Sequence, residues 1–332
     1  VKLTPQSAGL VAAVVSAASF GTSGAFVKPL LEAGWSPAAA VTARAFSGGL
    51  LLLPFVLVAL HGRWDTLWRA RWRLLGMGLI AVAFTQLAYF AAIRRVPVST
   101  ALLIEYLAPL LLVLWAWATT RRPPRPAVLL GSLLAVGGLI LVIGPGALRA
   151  VDVLGVALAF AAALGCAVYF LVAARPADGL PPVALAGVGL LLGGATLGLL
   201  GLAGRAAAGL GFANPVPMTA TFGDVTLLGA STPWWVPLAV VAVFGTAIAY
   251  ASGIFGSSRL GSRLASFVGL LEVIFASIFA WLVVGEHLTF LQITGGALIL
   301  AGIATIPAEA PAVTIEPARE PEVPSVPTAS QP

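Results

Sequence analysis

Apolar residues run along this chain in long stretches, separated by short clusters of arginine, glycine and proline. Ten stretches stand out, at about residues 8–30, 36–60, 74–93, 98–119, 127–143, 152–174, 181–203, 234–255, 264–284 and 288–306. A bilayer core takes about 20 apolar residues per helix, so each stretch predicts a membrane-crossing helix, the fifth being the shortest. The breaks His61-Gly62-Arg63, Arg121-Arg122-Pro123-Pro124, Gly144-Pro145-Gly146 and Arg175-Pro176 end helices or resist burial. The runs are too long for the alternating segments of about ten residues that a membrane β-barrel needs. Gly and Ala within them let helices approach closely. The pattern therefore predicts an all-α polytopic membrane protein with ten transmembrane helices. The first run follows Lys2 and ends in small residues, as a signal peptide would. Its length, and its place in the repeat described below, predict that it stays as a helix.

Composition sharpens this picture. Of 332 residues, 60% are hydrophobic and 9% are charged, where a soluble domain carries about 25% charged residues. That excludes a soluble enzyme, a secreted module and a disordered chain for the main body. The net charge of +6 is spread in clusters between apolar runs, with no continuous basic face, so nucleic acid is not an expected partner. One cysteine, Cys166, and two distant histidines, His61 and His287, build no disulfide framework or metal site, and no cofactor is expected. Residues 307–332 hold seven prolines and the acids Glu309, Glu316, Glu320 and Glu322, and read as a disordered tail. Lys2, Arg63 to Arg73, Arg121 to Arg125, Arg175, Arg259, Arg263 and Arg319 put 12 basic residues on one side, against five on the other (Lys28, Arg94, Arg95, Arg149 and Arg205). The positive-inside rule then predicts both termini in the cytoplasm and a multi-pass protein of the inner membrane, with Arg94-Arg95 as a basic pair on the minority side.

The third and eighth runs share a signature. Ala83-Phe84-Thr85-Gln86-Leu87-Ala88-Tyr89 aligns with Phe244-Gly245-Thr246-Ala247-Ile248-Ala249-Tyr250, matching at Thr, Ala and Tyr. Gly131 and Gly138 match Gly295 and Gly302, and the two offsets are 161 and 164. The chain after residues 1–7 thus reads as two copies, 8–143 and 152–306, of five helices each. Five is odd, so sequential copies must have opposite membrane orientations, the inverted-repeat architecture of many secondary transporters.

With these blocks in place the chain resembles the EamA family of the drug/metabolite transporter superfamily. The resemblance rests on Phe20-Gly21 with Val27-Lys28, Ser36-Pro37 with Arg44, and Leu107-Ala108-Pro109 in the first copy. In the second it rests on Gly155 to Tyr169, Leu271-Glu272-Val273, Gly285-Glu286-His287-Leu288-Thr289 and Gly295 to Gly302. It implies a ten-helix inner-membrane carrier of small metabolites, often an exporter, with both termini cytoplasmic. The chain departs from the pattern where Arg121-Arg122 replaces Gly-Glu in the first copy and Val273 replaces the proline in the second, so Glu286 has no symmetric counterpart.

Ionisable residues inside a span cost at least about 2.5 kcal/mol and mark functional candidates. Glu105 and Glu272 lie mid-span, three positions apart in the repeat frame, and should face the same interior side of equivalent helices. They are candidates for binding a substrate ammonium or carrying a proton; the plainer use is a carboxylate paired with Arg or a neighbouring helix. Arg44 either meets a substrate carboxylate or makes a structural ion pair or headgroup contact. Tyr89 with Thr85, and Tyr250 with Thr246, recur four residues apart and suggest a polar-aromatic lining; Gln86 adds an amide. Pro109, one turn beyond Glu105, predicts a kink or helix break. Trp64, Trp68 and Trp72 interleave with Arg63, Arg69, Arg71 and Arg73 as an interfacial segment. Trp234-Trp235 reads as an aromatic belt, Trp115 and Trp117 as deeper packing or path residues. Glu286 reads as a cap for the tenth helix, and residues 205–232 as an outer loop against the membrane.

The expected function is a secondary transporter, most simply an exporter, of small polar metabolites such as amino acids, working by alternating access. Its partners are the solute, the lipid bilayer and, for coupling, protons; a monomer suffices and a dimer is compatible. No Gly-x-x-x-x-Gly-Lys loop is present, so ATP-driven chemistry is not expected. The alternative is a flippase of lipid-linked substrates or a polytopic membrane enzyme, which a groove open sideways to lipid would favour.

Overall fold

The computed structural model describes residues 4–144, 152–175, 179–210, 214, 216–285 and 287–307. Lys2, Pro145, Gly146, Arg149, Pro176, Glu286 and the tail beyond Pro307 lie outside the described residues. Among those described, nine helices are long and apolar enough to cross a membrane: α1 Pro5–Glu32, α2 Pro37–Leu60, α3 Arg71–Ile93, α4 Val98–Thr120, α5 Pro126–Ile143, α6 Val153–Ala174, α7 Pro182–Gly209, α8 Trp235–Leu260 and α9 Ser262–Val283. A tenth, α10, is the shorter apolar helix Phe290–Thr305. The protein is an all-α polytopic membrane protein, and the shortest crossing is the tenth rather than the fifth.

Helix starts follow local chemistry. Thr4, Ser36 and Asp152 accept hydrogen bonds from backbone N–H groups three residues on, opening α1, α2 and α6. Proline occupies the first turn of α1, α2, α5 and α7, where no N–H is needed. Thr289, not Glu286, caps α10: its side chain accepts from Gln292 N while Gln292 Oε1 accepts from Thr289 N at 2.9 Å. Asp152 also faces Arg95 at 3.6 Å, which gives one member of the minority-side basic pair a counter-charge.

Two helices are interrupted in matching places. In α4, Val98–Glu105 gives way to Ala108–Thr120 around Tyr106 and Leu107. In α9, Ser262–Gly269 gives way to Leu271–Phe279 at Leu270. Pro109 lies in the first turn after the α4 break, as its presence predicts. The α9 break has Val273 there instead and forms without proline. In α3 and α8 the chain widens to i→i+5 winding over Gly76–Phe84 and Val243–Ile248, a change no residue type announces.

Packing is largely exchanged between the copies. The first helix of each copy packs mainly on the other copy: α1 on α8 and α9, and α6 on α3 and α4, with smaller contacts from α6 to α8 and α9. Likewise α2 meets α8 while α7 meets α3, and the equivalent pairs α2 with α7 and α5 with α10 pack on each other. Two intertwined bundles result, α1-α2-α8-α9 and α3-α4-α6-α7, so the sequence copies are not the spatial bodies. The α5–α10 seam shows the symmetry at atomic scale. A Cβ on Gly138 would collide with the Gly295 carbonyl oxygen, and one on Gly295 with that of Gly138. A Cβ on Gly131 would stand 2.7 Å from the Gly302 oxygen, and the reverse contact is also 2.7 Å. Exchanging each glycine with its repeat partner leaves these contacts unchanged, as an antiparallel, two-fold-related pair requires.

Loops depart from expectation in two places. The 205–232 segment is not a loop merely resting on lipid. Helix α7 runs to Gly209, and the antiparallel strands β1 Asp224–Leu227 and β2 Ala230–Pro233 form a hairpin. The segment is tied to the α1–α2 turn through Ser36 N to Thr219 O (2.9 Å) and Trp35 Nε1 to Thr221 O (2.6 Å). Trp35 is buried against Trp234 and Phe222, so only Trp235 of the Trp234-Trp235 pair is exposed. The second departure is Arg73. Trp64, Trp68 and Trp72 are exposed and Arg71 stacks on the last two, as an interfacial segment requires. Arg73 instead turns inward, donating from Nε to Val172 O (3.0 Å) and from Nη2 to Arg175 O (3.2 Å) at the end of α6. A cation there complements the partial negative charge of the helix end.

Gly138→Leu and Gly295→Leu should each lower stability by about 1–3 kcal/mol through forced separation of α5 and α10, and by similar amounts because the two glycines form the two sides of one reciprocal contact; thermal unfolding in detergent checks this. Arg73→Gln should cost about 1.5–3 kcal/mol, the worth of hydrogen bonds to a charged donor, whereas Arg71→Gln should change little in the same assay.

Candidate functional site

A cavity of about 540 Å³ lies between the two bundles, lined from α1, α2, α3, α4, α6, α8 and α9. At one end its lining residues Leu31, Pro37 and Val98 are exposed; at the other, Ala13, Ser257 and Ala265 are buried. It therefore opens at the face where α1 ends and α2 begins, and is closed toward the face where α1 begins. Helix α2 contributes Pro37, Val41 and Arg44 to the wall, while its counterpart α7 contributes nothing. The hairpin segment is tied beside this mouth, at the α1–α2 turn, and is not part of the lining.

The helix breaks place the two glutamates. Glu105 is the last residue of the first half of α4, and Glu272 sits in the first turn of the second half of α9. Both line the cavity, close enough to interact electrostatically with each other and with Arg44. They are not equivalent members of continuous helices. Glu105 meets the carbonyl end of a half-helix, and Glu272 the N–H end of another, where a carboxylate is complemented by the backbone dipole. The hydroxyl of Tyr106, in the α4 break, is placed to donate to the Glu272 carboxylate.

Arg44 faces this pair from α2, and its guanidinium Nη1 lies 3.4 Å from Ser23 Oγ on α1. Among the described residues no ion pair within 4 Å closes on it. The structural ion pair expected as its plainer use is therefore not seen among the described residues. Its charge is presented to the cavity. Lys28 lines the same wall nearer the mouth.

The Tyr/Thr pairs divide. Thr85, Gln86 and Tyr89 all line the cavity, with Thr85 pressed against Gly165 of α6. In the second copy Tyr250 lines it, but Thr246 does not: it is buried against Gly48 of α2. The cause is the wide winding. In α3 it ends at Phe84, before Thr85, so Thr85 and Tyr89 keep α-helical register. In α8 it runs to Ile248, past Thr246, and turns Thr246 off the face of Tyr250. Pro109 lines the cavity beside the break. Trp115 and Trp117 are about half exposed and lie outside this cavity, neither packed inside nor on the path. His287 is exposed, as a loop residue would be.

Sequence reasoning passed over part of the lining. Tyr250 stacks edge-on with Phe20 (5.1 Å) and with Tyr169 (5.7 Å), and Tyr169 with Phe170 (5.0 Å). The Tyr169 hydroxyl is buried with no hydrogen-bond partner among the described residues. It borders Gly253, next to Ser16, whose hydroxyl donates to Ala249 O at 2.7 Å. Tyr169 lay inside the Gly155 to Tyr169 block, and its polar end in a long apolar run was the available signal. Tyr106 stood next to Glu105, but its link to Glu272 depends on the break. The cavity is thus lined by two carboxylates, Arg44, Lys28 and an aromatic wall.

Comparison with known proteins agrees with this architecture. A curated protein of Archaeoglobus fulgidus, described as an uncharacterized transporter, is 28% identical over 295 residues, covering 89% of this chain and 94% of its own length. A solved crystal structure superposes with a TM-score of 0.68 at 20% identity, over 90% of this chain and 97% of that one, and so shares the fold. The EamA-like transporter family matches twice, at residues 7–144 and 153–307, once for each copy. This chain belongs to the EamA-like transporter family, within the drug/metabolite transporter superfamily, and is a multi-pass membrane transporter.

Proposed function

We propose that the protein is a secondary carrier that exports small zwitterionic metabolites, with amino acids as the leading class, across the inner membrane with both termini in the cytoplasm. The observation that carries this reading is the convergence of Glu105, Glu272 and Arg44 on one cavity at the broken ends of two helices. A solute ammonium would sit between the carboxylates, its carboxylate toward Arg44, and its side chain against Phe20, Tyr169 and Tyr250. Broken helices leave backbone groups that only a cavity or a ligand can satisfy in lipid, which is why carriers bind there. Alternating access would rock the α1-α2-α8-α9 bundle against α3-α4-α6-α7, although the sequence copies themselves are divided at 8–143 and 152–306. Glu105, without the hydrogen bond that Tyr106 offers Glu272, is assigned the coupling proton. The reading requires no covalent chemistry and no second chain.

The exposed lining residues Leu31, Pro37 and Val98 stand at helix ends on one face of the protein. That arrangement favours a water-borne solute over the lipid-linked substrate of a flippase.

The decisive experiment is uptake into proteoliposomes of a panel of radiolabelled amino acids and other metabolites, with and without a proton gradient. Saturable flux is expected. Glu272→Gln and Arg44→Ala should each raise KM about tenfold to a hundredfold, the worth of one charge-assisted hydrogen bond. Glu105→Gln should abolish the response to the gradient while leaving exchange of solute for solute. Absence of flux for every soluble solute would move the assignment to a lipid-linked substrate; gradient-independent flux in the unaltered protein would make it a facilitator.

Cys166, the single cysteine, lines the cavity, so modification of its thiol tests occupancy. A small methanethiosulfonate should block flux, the transported solute should protect, and Cys166→Ala should be immune. Protection absent at saturating solute would separate the cavity from the transport path.

A further inference from the structure

The two bundles meet at the closed end of the cavity, where α6 touches α8 and α9. Helix α6 carries two aromatic residues in succession there, Tyr169 and Phe170, and each rests on a glycine of the other bundle. A Cβ on Gly253 of α8 would stand 2.5 Å from the Tyr169 hydroxyl oxygen. One on Gly269 of α9 would stand 3.1 Å from the tip of the Phe170 ring. Contact this close leaves no room for a side chain on either seat. At the repeat offsets of 161 and 164 the same two places hold Ala92 and Glu105, so this pair of bare seats belongs to one end of the cavity only.

Phe170 packs against three separate buried clusters at once, so it stands where they meet. Tyr169 continues the seal through Tyr250 to Phe20, and a row of four rings crosses from α6 by way of α8 to α1. Among the described residues the Tyr169 hydroxyl has no hydrogen-bond partner, so its seat on Gly253 is a contact of shape. Parting the bundles there would break no hydrogen bond of this hydroxyl and would give it water, which lowers the cost of opening. Helix α6 enters beside the mouth, where Asp152 meets Arg95, so Cys166 lies one turn nearer the mouth than Phe170. Phe170 thus stands between the cavity-lining thiol and the closed face. We infer that Tyr169 and Phe170, seated on Gly253 and Gly269, are the gate that shuts the cavity from the face where α1 begins. The opening of this gate in a transport cycle rests on the alternating-access reading above; its sealing of the cavity does not.

The test uses the full chain in membrane vesicles of both orientations and measures modification of Cys166 by a membrane-impermeant methanethiosulfonate. In the unaltered protein, modification should come mainly from the mouth face. Phe170→Ala should raise the rate from the closed face about tenfold, since loss of a packed ring weakens the closed arrangement. Gly269→Leu should raise it by wedging α6 from α9. The double variant Phe170→Ala/Gly269→Leu should return it toward the unaltered rate, because the leucine fills the space that the ring vacates; general misfolding would not be repaired in this way. Gly253→Ala is an independent wedge, its methyl meeting the oxygens of Tyr169 and Ser16, and reads the gate should the Phe170 variant fail to fold. Gly24→Ala adds a methyl to the cavity wall where nothing lies within 4 Å, and should leave the closed-face rate unchanged. Closed-face rates unchanged in Phe170→Ala, Gly269→Leu and Gly253→Ala would overturn the gate, as would an equal rise in Gly24→Ala or a double variant as leaky as its parents. Solute should shift modification of the unaltered protein between faces; if it does not, alternating access fails while the variants still decide the seal.

Discussion

Lipid offers no hydrogen bonds, so every backbone group inside the bilayer must find a partner within the protein. Helix satisfies that demand everywhere except at its ends, and this chain puts ends in mid-membrane. The breaks at Tyr106–Leu107 and Leu270 survive because the turns tighten locally. Leu107 N reaches Ile104 O and Leu110 N reaches Leu107 O, while Leu270 N reaches Phe267 O and Val273 N reaches Leu270 O. Glu105, Tyr106, Leu270 and Glu272, which stand at these breaks, line the cavity, a place in mid-membrane where polar atoms are tolerated. The position of the carboxylates, and hence the chemistry of the site, follows from that single rule.

The second organising element is close approach. Water is not there to drive helices together, so association depends on contact between surfaces that fit. Glycines supply it at the α5–α10 seam, where each helix leaves its carbonyls bare to the other. The seam lies outside the lining of the cavity, which leaves α5 and α10 free to serve as a fixed spine. Interleaving of α1 with the second copy and α6 with the first then makes each bundle a product of both copies. Neither half of the sequence could fold its bundle without a helix from the other.

Much of this was legible beforehand, for reasons that can be named. Ten apolar runs give ten helices because length and hydropathy are sufficient signals in a bilayer. The matched glycines at 131, 138, 295 and 302 announced the repeat, and an odd helix number made it inverted. Pro109 announced the break in α4. The break in α9 was silent, because Val273 stands where the first copy has a proline and carries no steric signature. The wide windings in α3 and α8 were equally silent, and they decide whether Thr85 and Thr246 share a face with their tyrosines. Arg73 looked like its neighbours in composition; only the nearby end of α6 separates it from them. Tyr169 and Tyr106 were readable as residue types but not as neighbours, since the contacts that matter join distant helices.

The two copies are alike in fold and unlike in side chains, and the cavity wall inherits the difference. Counted from Pro37 and Pro182, the prolines that open α2 and α7, Arg44 on α2 corresponds to Gly189 on α7. In the state described, α2 lines the cavity and α7 does not. Interchanging the conformations of the copies would bring α7 to the wall and draw α2 away. A solute would then meet a guanidinium when the carrier faces one compartment and bare backbone when it faces the other. Under the alternating-access reading proposed above, unequal grip at the two membrane faces would leave the final concentration ratio to any driving gradient, but would set which compartment loads the carrier at low solute and which one empties it.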